Sequence, residues 1–307
     1  MQLDGFLFFL LVICLGYFAS RFRLVKESAA EVLPSLLLNV CFPALLLTTF
    51  ASVDGQTLLA AGLPALIATP VFALLPFFVS LFLFRKEEPE RRALLRYISG
   101  IGNTSFVCIP LLRLFLPDEQ MLIVFVHGAV MDLLIWGLHH PLFLGSGLRK
   151  NRQPFYKLLL SPCLLAVVVG TLLSVTGTKL PSFLQYTLDA LAAVVSPLSL
   201  LLIGMLIQQY GLFAWRKDRT AILYSVWKVL LYPCIVFAVL YFLLPLQSAL
   251  ILAILFGSPA PVTAVVWCKE YRRDTKLAVD CLIPSTILYF LVMGSALTVL
   301  THLGILG

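Results

Sequence analysis

Two short polar stretches interrupt a chain that is otherwise almost uniformly apolar. The first reads GIGNTS at residues 100–105 and is followed by Pro110, and the second reads GSPAPVT at residues 257–263. Amide and hydroxyl groups donate hydrogen bonds, whereas glycine and proline interrupt a helix and free its backbone N–H groups for the same purpose. These residue types favour noncovalent binding of a ligand over covalent chemistry.

Broken helices of this kind form binding sites for anions. A proline removes a backbone donor and clashes with the preceding turn, so Pro110 and Pro259 are expected to break their helices. Each new half-helix has unpaired N–H groups and about half a positive charge at its amino end. Two such ends that meet can bind an anionic group; two kinked packing helices without a ligand are the alternative. The candidate substrate-binding residues are Asn103, Thr104, Ser105, Pro110, Ser258, Pro259, Thr263 and Asn39.

The surrounding sequence indicates an integral membrane protein. Of its 307 residues, 61% are apolar and 12% are charged, and the mean hydropathy is +1.01, whereas soluble domains carry about 25% charged residues. A helix needs about 20 apolar residues to span the bilayer. Ten segments qualify as spans 1 to 10, namely residues 3–20, 32–51, 58–84, 94–116, 121–144, 158–175, 183–207, 221–244, 246–268 and 277–300.

The basic residues predict the orientation of these spans. Of the 22 lysines and arginines, 19 fall in or beside the odd-numbered connections, which are those that follow spans 1, 3, 5, 7 and 9. Connections rich in lysine and arginine stay in the cytoplasm, so both termini are expected outside the cell. The net charge of +7 is therefore a topology signal and not a nucleic-acid patch. We expect a multi-pass protein of the bacterial inner (cell) membrane, in contact with the lipid bilayer.

Proline spacing indicates an internal repeat. Pro43 and Pro197 are 154 residues apart, and Pro110 and Pro259 are 149 apart. A repeat of five spans places its second copy upside down, because five is odd. Inverted repeats with matching interrupted helices are typical of transporters, whereas chance spacing of common membrane prolines is the alternative. The predicted repeats are residues 1–150 and 151–307, within one membrane domain.

Two ionisable residues lie deep in their spans and are candidates for ion coupling. Asp132 is in the middle of span 5 and Lys228 in the middle of span 8, where charged groups are costly and often functional. His139 shares a helix face with Asp132, which would suit a proton relay. The alternative is that Lys228 snorkels to the cytoplasm and His139 lies at the membrane interface. Asp189 and Asp280 are expected nearer the interface, and Arg113 either at an outer vestibule or as an outer anchor.

Enzymatic chemistry has little support in the sequence. The seven cysteines show no Cys-x-x-Cys spacing, so free packing thiols are expected, with no metal site and no cofactor. No Gly-x-x-x-x-Gly-Lys phosphate loop is present, which leaves ion gradients or passive flow to drive any transport. His127, His139 and His140 have no companion acidic motif.

The motifs resemble those of the auxin efflux carrier family, which includes plant auxin exporters and bacterial organic-acid permeases. NTSFVCIPLL at residues 103–112 is similar to the family's span 4 motif, and SPAPVTAVVWCKEY at 258–271 to its span 9 motif. The resemblance implies an all-α fold of two inverted five-helix repeats with broken, crossing spans 4 and 9, and an elevator-like motion. Ser105, Cys108 and Thr263 depart from residues frequent in bacterial members.

We therefore expect a secondary transporter for a small organic anion, such as a carboxylate, with its site where spans 4 and 9 cross. A proton or sodium ion is the candidate coupling ion, and a homodimer is one expectation, because elevator scaffolds commonly dimerise. A sodium-coupled symporter of bile-acid type and a ligand-binding membrane sensor are the alternatives.

Overall fold

The computed structural model describes residues 2–26, 28–135, 138 and 162–305, and all of the regular structure there is helical. His139, four of the basic residues used for orientation and the junction between the predicted repeats lie outside these residues. The first half contains helices α1 (Gln2–Arg21), α2 (Ala29–Ala51), α3 (Gly55–Leu83), α4 (Pro89–Gly100), α5 (residues 104–112) and α6 (Asp118–Leu134).

The second half repeats this order of long and short helices. It contains α7 (Pro162–Thr176), α8 (Ser182–Tyr210), α9 (Arg219–Leu240), α10 (Leu246–Phe256), α11 (Val262–Glu270) and α12 (Lys276–His302), with a short 3₁₀ turn at Ala214–Lys217. Predicted span 4 thus consists of α4 and α5, and predicted span 9 consists of α10 and α11.

Within the residues that the structure describes, five helices are long and apolar enough to cross a membrane: α2, α3, α8, α9 and α12. Large apolar side chains face outward from the bundle, among them Leu59 and Phe82 on α3 and Phe183 on α8, which are 70%, 76% and 75% exposed. Water would not tolerate such a surface on a monomer, but the hydrocarbon of a bilayer does. The expectation of a multi-pass membrane protein is confirmed to this extent.

Three prolines follow a widened helical turn. Pro43, Pro110 and Pro233 each stand at the second residue of an α-helical segment that follows a five-residue π turn, at Leu37–Cys41, Thr104–Cys108 and Trp227–Leu231 respectively. A proline lacks the N–H that would bond back along the helix, and its ring crowds the carbonyl four residues earlier. The wider turn accommodates both effects, so these helices continue past the proline.

The helices pack in two groups. In one group, α1 packs on α8 and α2 on α7; in the other, α3 packs on α6, and α9 packs on α10 and α12. Glycines allow the first group to pack closely. A Cβ at Gly16 would overlap the carbonyl oxygen of Leu201, and a Cβ at Gly170 would lie 3.1 Å from the carbonyl oxygen of Leu47.

An ion cluster joins the connection after α3 to the start of α9. Arg91 lies 2.8 Å from Glu87 and 3.0 Å from Asp218, and Thr220 donates a hydrogen bond of 2.5 Å to Glu87. Partial burial alone would raise the pKa of Glu87, but the Thr220 hydroxyl and the Arg91 guanidinium outweigh it and lower this pKa. Asp218 also caps α9 by accepting from the backbone N–H of Thr220.

Candidate functional site

Both polar stretches form breaks between two helices. Between α4 and α5 the chain is non-helical from Ile101, which is extended (φ −120°, ψ 146°), to Asn103 (φ −85°, ψ 59°). Residues 257–261 separate α10 from α11 and include Pro259, as predicted. The prediction that Pro110 breaks span 4 was wrong, because the break precedes it and Pro110 lies within α5. The break lies instead at residues 101–103, directly after Gly100 and around Gly102, and glycine favours non-helical backbone.

The two breaks contact each other directly. The backbone N–H of Asn103 donates to the carbonyl oxygen of Pro259 over 2.9 Å. Gly102 lies against Ser258 so closely that a Cβ at position 102 would overlap the Ser258 hydroxyl oxygen and lie 2.7 Å from its Cβ. The residues predicted to cross, Asn103 and Ser258–Pro259, are therefore brought together.

Unpaired polar groups are buried at this crossing. Asn103 is 2% exposed and its Nδ2 has no hydrogen-bond partner among the described residues; the same holds for the hydroxyl of Thr104. An unsatisfied buried donor costs about 1–3 kcal/mol. A ligand that accepts hydrogen bonds from these groups would recover that free energy. Asn103 thus supplies amide donors at the point where the two breaks meet.

The remaining predicted site residues are placed differently. Thr263, in the first turn of α11, shares a hydrogen bond of 2.9 Å with the hydroxyl of Tyr97 on α4. Ser105 is half-buried in the first turn of α5. Asn39 is exposed on α2, and its amide donates to the Ser35 carbonyl of its own helix over 2.9 Å. Among the described residues, the side chain of Asn39 has no hydrogen bond to the crossing.

Residues of α12 support the second break and were missed from the sequence. Ser285 accepts a hydrogen bond of 3.1 Å from the backbone N–H of Ala260, and Tyr289 donates to the Ile254 carbonyl at the end of α10. The hydroxyl of Thr286 is buried without a partner among the described residues and lines a small cavity between α8 and α12. The (i, i+4) spacing of Ser285 and Tyr289 on one helix face was the signal available.

Two side chains of α9 cap the first break. The hydroxyl of Tyr224 donates to the carbonyl of Ile98 over 2.9 Å, and Nζ of Lys228 donates to the carbonyl of Ser99 over 3.0 Å. Lys228 is 1% exposed and its Nζ lies 5.4 Å from the ring centre of Tyr232. Of the two interpretations of Lys228, deep burial is therefore observed and snorkelling is not.

The other ionisable residues have varied surroundings. Asp132 is half-buried, and no basic partner lies within 4.0 Å of it among the described residues. Asp280 is buried and pairs with Lys276 at the start of α12, whereas Asp189 is exposed on α8. Arg113 is exposed, 4.0 Å from the carboxylate of Asp118.

His127 was given no role in the sequence analysis, yet it is fully buried near the crossing. Its Nδ1 shares a hydrogen bond of 3.0 Å with Thr69, and its ring lies edge-on to Phe256, the last residue of α10. Within the described part of the chain, no group of three or more His, Cys, Asp or Glu residues has the geometry to hold a metal ion. All seven cysteines are free.

A bundle of apolar helices around two broken, polar segments defines a membrane transporter. The chain matches the model of the membrane transport protein family, the auxin efflux carrier family, over residues 5–295, and it belongs to that family. It is also 22% identical to an uncharacterized transporter of Methanocaldococcus jannaschii, over 95% of this chain and 96% of the relative. The resemblance noted in the sequence is confirmed.

Proposed function

We propose that this membrane transporter is a secondary carrier for a small organic anion, such as a carboxylate, which binds where α4–α5 crosses α10–α11. The observation that carries the proposal is the buried, unpaired Nδ2 of Asn103 at the contact between the two breaks. An amide nitrogen only donates hydrogen bonds, so its missing partner is an acceptor. A carboxylate accepts such bonds more strongly than a neutral group does.

The helix ends at the crossing add to this preference. The amino ends of α5 and α11 both begin at the breaks, and their first N–H groups have no acceptor within their own helices. Each end carries about half a positive charge. Thr104, the first residue of α5, contributes a buried hydroxyl beside these donors.

Pairs of contacts related by a constant offset support two inverted repeats, residues 1–150 and 151–307. Gly16 packs on the Leu201 carbonyl, and Gly170 packs on the Leu47 carbonyl. Gly16 and Gly170 are 154 residues apart, and so are Leu47 and Leu201. One contact therefore becomes the other when the two halves exchange roles, as a two-fold axis requires.

Side-chain bonds and the crossing follow the same relation. Ser20 donates to Gln208, and Ser174 donates to the Val53 carbonyl; the two serines are 154 residues apart, and Val53 and Gln208 are 155 apart. At the crossing itself, residues 102 and 258 touch, as do 103 and 259, each pair being 156 apart. A residue that contacts its own equivalent lies on the two-fold axis.

The two packing groups support an elevator-like motion. In the proposal, α1, α2, α7 and α8 form the scaffold, and the group that contains both breaks moves against it with the bound anion. The interface includes α8 against α5, and the small cavity lined by Ile203, Val262 and Thr286 lies on it. A proton or sodium ion remains the proposed coupling ion, with Asp132 as the candidate residue, and the scaffold is the proposed dimer surface.

Flux of radiolabelled carboxylates into liposomes that contain the purified protein tests the proposal. Asn103→Ala should raise the dissociation constant, and the substrate concentration that gives half-maximal flux, roughly 10- to 100-fold. The reason is that a charge-assisted hydrogen bond contributes about 1.5–3 kcal/mol. Asn39→Ala is the matched control, since that amide is exposed and bonded within its own helix; it should transport like the wild type.

Three other results would contradict the proposal. Wild-type affinity in Asn103→Ala, or loss of binding only through unfolding, would place the site elsewhere. Binding without flux would indicate a sensor. Flux that requires sodium in a fixed ratio would leave the site in place and would identify sodium as the coupling ion, as in the alternative of a bile-acid-type symporter.

A further inference from the structure

We propose that the side chain of Lys228 holds the break between α4 and α5 open and, as an ammonium group paired with a bound anion, makes the crossing select anions over neutral ligands of the same shape. This inference rests on the proposed function, because it concerns the specificity of the same site. In this role Lys228 is a positioning residue, whose charge acts on the ligand through space and through the helix end that it caps.

The hydrogen bonds at the end of α4 show how the break is maintained. In an uninterrupted helix, the Ile98 carbonyl would accept from the N–H of residue 102 and the Ser99 carbonyl from the N–H of residue 103. Instead, Tyr224 and Lys228 occupy these two carbonyls, and the N–H of Asn103 donates to Pro259. Side chains of α9, one turn apart, thus replace the helical partners that the break removes.

The charge of Lys228 also affects which ligands the crossing binds. The carboxyl ends of α4 and α10 each carry about half a negative charge, and the amino ends of α5 and α11 about half a positive charge. The negative carboxyl ends offset part of the attraction that the amino ends exert on an anion, so the helix ends alone give only a weak preference for an anion over a neutral ligand. Lys228 adds one positive charge at the end of α4, four residues before Asn103.

The surroundings of Lys228 contain groups that attract a cation but no carboxylate, while its burial opposes the positive charge. A helix carboxyl end, the Ser99 carbonyl and the face of the Tyr232 ring all attract a cation. No carboxylate lies within 4.0 Å of its Nζ among the described residues. A buried cation without a counter-ion is costly, and a bound carboxylate would supply the missing negative charge.

The experiment compares ligands of nearly the same shape, a charged carboxylate and its neutral amide, and tests whether the preference between them depends on Lys228. Benzoate, succinate and 2-oxoglutarate, each beside its neutral amide, are titrated onto purified wild type, Lys228→Gln and Tyr224→Phe by thermal shift and calorimetry. Lys228→Gln retains a hydrogen-bond donor for the Ser99 carbonyl and removes the charge. Tyr224→Phe is the matched control, because it removes a cap from the same helix end without changing any charge.

We expect Lys228→Gln to bind the carboxylates roughly 15- to 100-fold more weakly, the effect of one charge about 6–10 Å away at an effective dielectric constant of about 20. Binding of the amides should change by less than about threefold. Tyr224→Phe should change binding of both ligand types by the same factor. A purely structural role for Lys228 would also weaken both types together.

The outcomes separate this inference from the proposed function. If Lys228→Gln binds a carboxylate as tightly as the wild type does, or loses carboxylate and amide equally, the inference is wrong and the anion site at the crossing stands. If no carboxylate binds the wild type, the proposed function fails, and the inference fails with it. Should Lys228→Gln not fold, the wild type alone decides: equal affinity for a carboxylate and its amide overturns the inference.

Discussion

Gly102→Ala is the substitution that most directly tests the contact between the two breaks. An added Cβ would overlap the Ser258 hydroxyl and lie 2.7 Å from the Ser258 Cβ. A rotation about the Ser258 side chain moves its hydroxyl but leaves its Cβ in place. Ordinary carbon–carbon contact requires about 3.5–4.0 Å, so the two backbones must separate by about 0.8–1.3 Å.

The expected cost follows from that separation. Overpacking of a close contact costs about 1–3 kcal/mol, and loss of the bond from Asn103 to the Pro259 carbonyl adds about 1 kcal/mol. Gly102→Ala should therefore lose about 2–4 kcal/mol of stability at the crossing and should bind carboxylates at least about 10-fold more weakly. Thermal unfolding and calorimetry on the purified protein measure both quantities.

Two further variants make the test specific. Adding Ser258→Gly to Gly102→Ala removes the overlapping atoms and leaves only a contact of 3.5 Å with the carbonyl oxygen of residue 258, so the double variant should recover much of the stability. Gly128→Ala is the matched control, because its Cβ would meet Thr104 at an ordinary 4.0 Å. If Gly102→Ala behaves like Gly128→Ala, or if Ser258→Gly gives no recovery, the two breaks do not meet as described.

Three further predictions concern coupling, acid stability and orientation. Asp132→Asn should change the ion or pH dependence of flux between about pH 5 and 8; unchanged flux across that range would remove Asp132 from the coupling step. The lowered pKa of Glu87 stabilises the fold at neutral pH and loses this effect as the pH falls below the ordinary value of 4.5. Glu87→Gln should therefore lower Tm at pH 7 by an amount worth about 0.5–1 kcal/mol, and the difference from wild type should shrink towards pH 4; a constant difference would contradict this account. In a variant without native cysteines, an impermeant thiol reagent outside the cell should label a cysteine at Gln56 and spare one at Lys86, and the reverse pattern would invert the proposed topology.

Much of the crossing followed from local chemistry, because its features are properties of short segments. A glycine-rich polar stretch inside an apolar span has few structural options in lipid other than a protected break. Residues 100–105 and 257–263 therefore indicated both breaks. The predicted position of the first break at Pro110 was wrong, because a π turn accommodates this proline within α5. Glycine and a partner helix determine instead where the backbone hydrogen bonds of α4 end.

The partners of the breaks are tertiary features and had no local signal strong enough to identify them. Tyr224 contacts a carbonyl 126 positions away in the sequence, and Lys228 one that is 129 away. Burial depth suggested that Lys228 matters, but not that it caps a helix end. Asn39 is a second example, since no local signal indicated that its amide is bonded to the Ser35 carbonyl of its own helix.

In the proposed repeat, the shape of the site is symmetric but its chemistry is asymmetric. An offset of 154 to 156 residues relates Lys228 to positions 72–74, which are phenylalanine, alanine and leucine, so no second cation exists at the equivalent place. The same offset relates Asn103 to positions 257–259, Gly-Ser-Pro, which carry no amide side chain. The amide donors and the buried cation therefore both belong to the first break, whereas the second contributes mainly backbone. An anion bound at the crossing is accordingly expected to lie nearer α5 than α11, on the side where the unpaired donors and the uncompensated charge coincide.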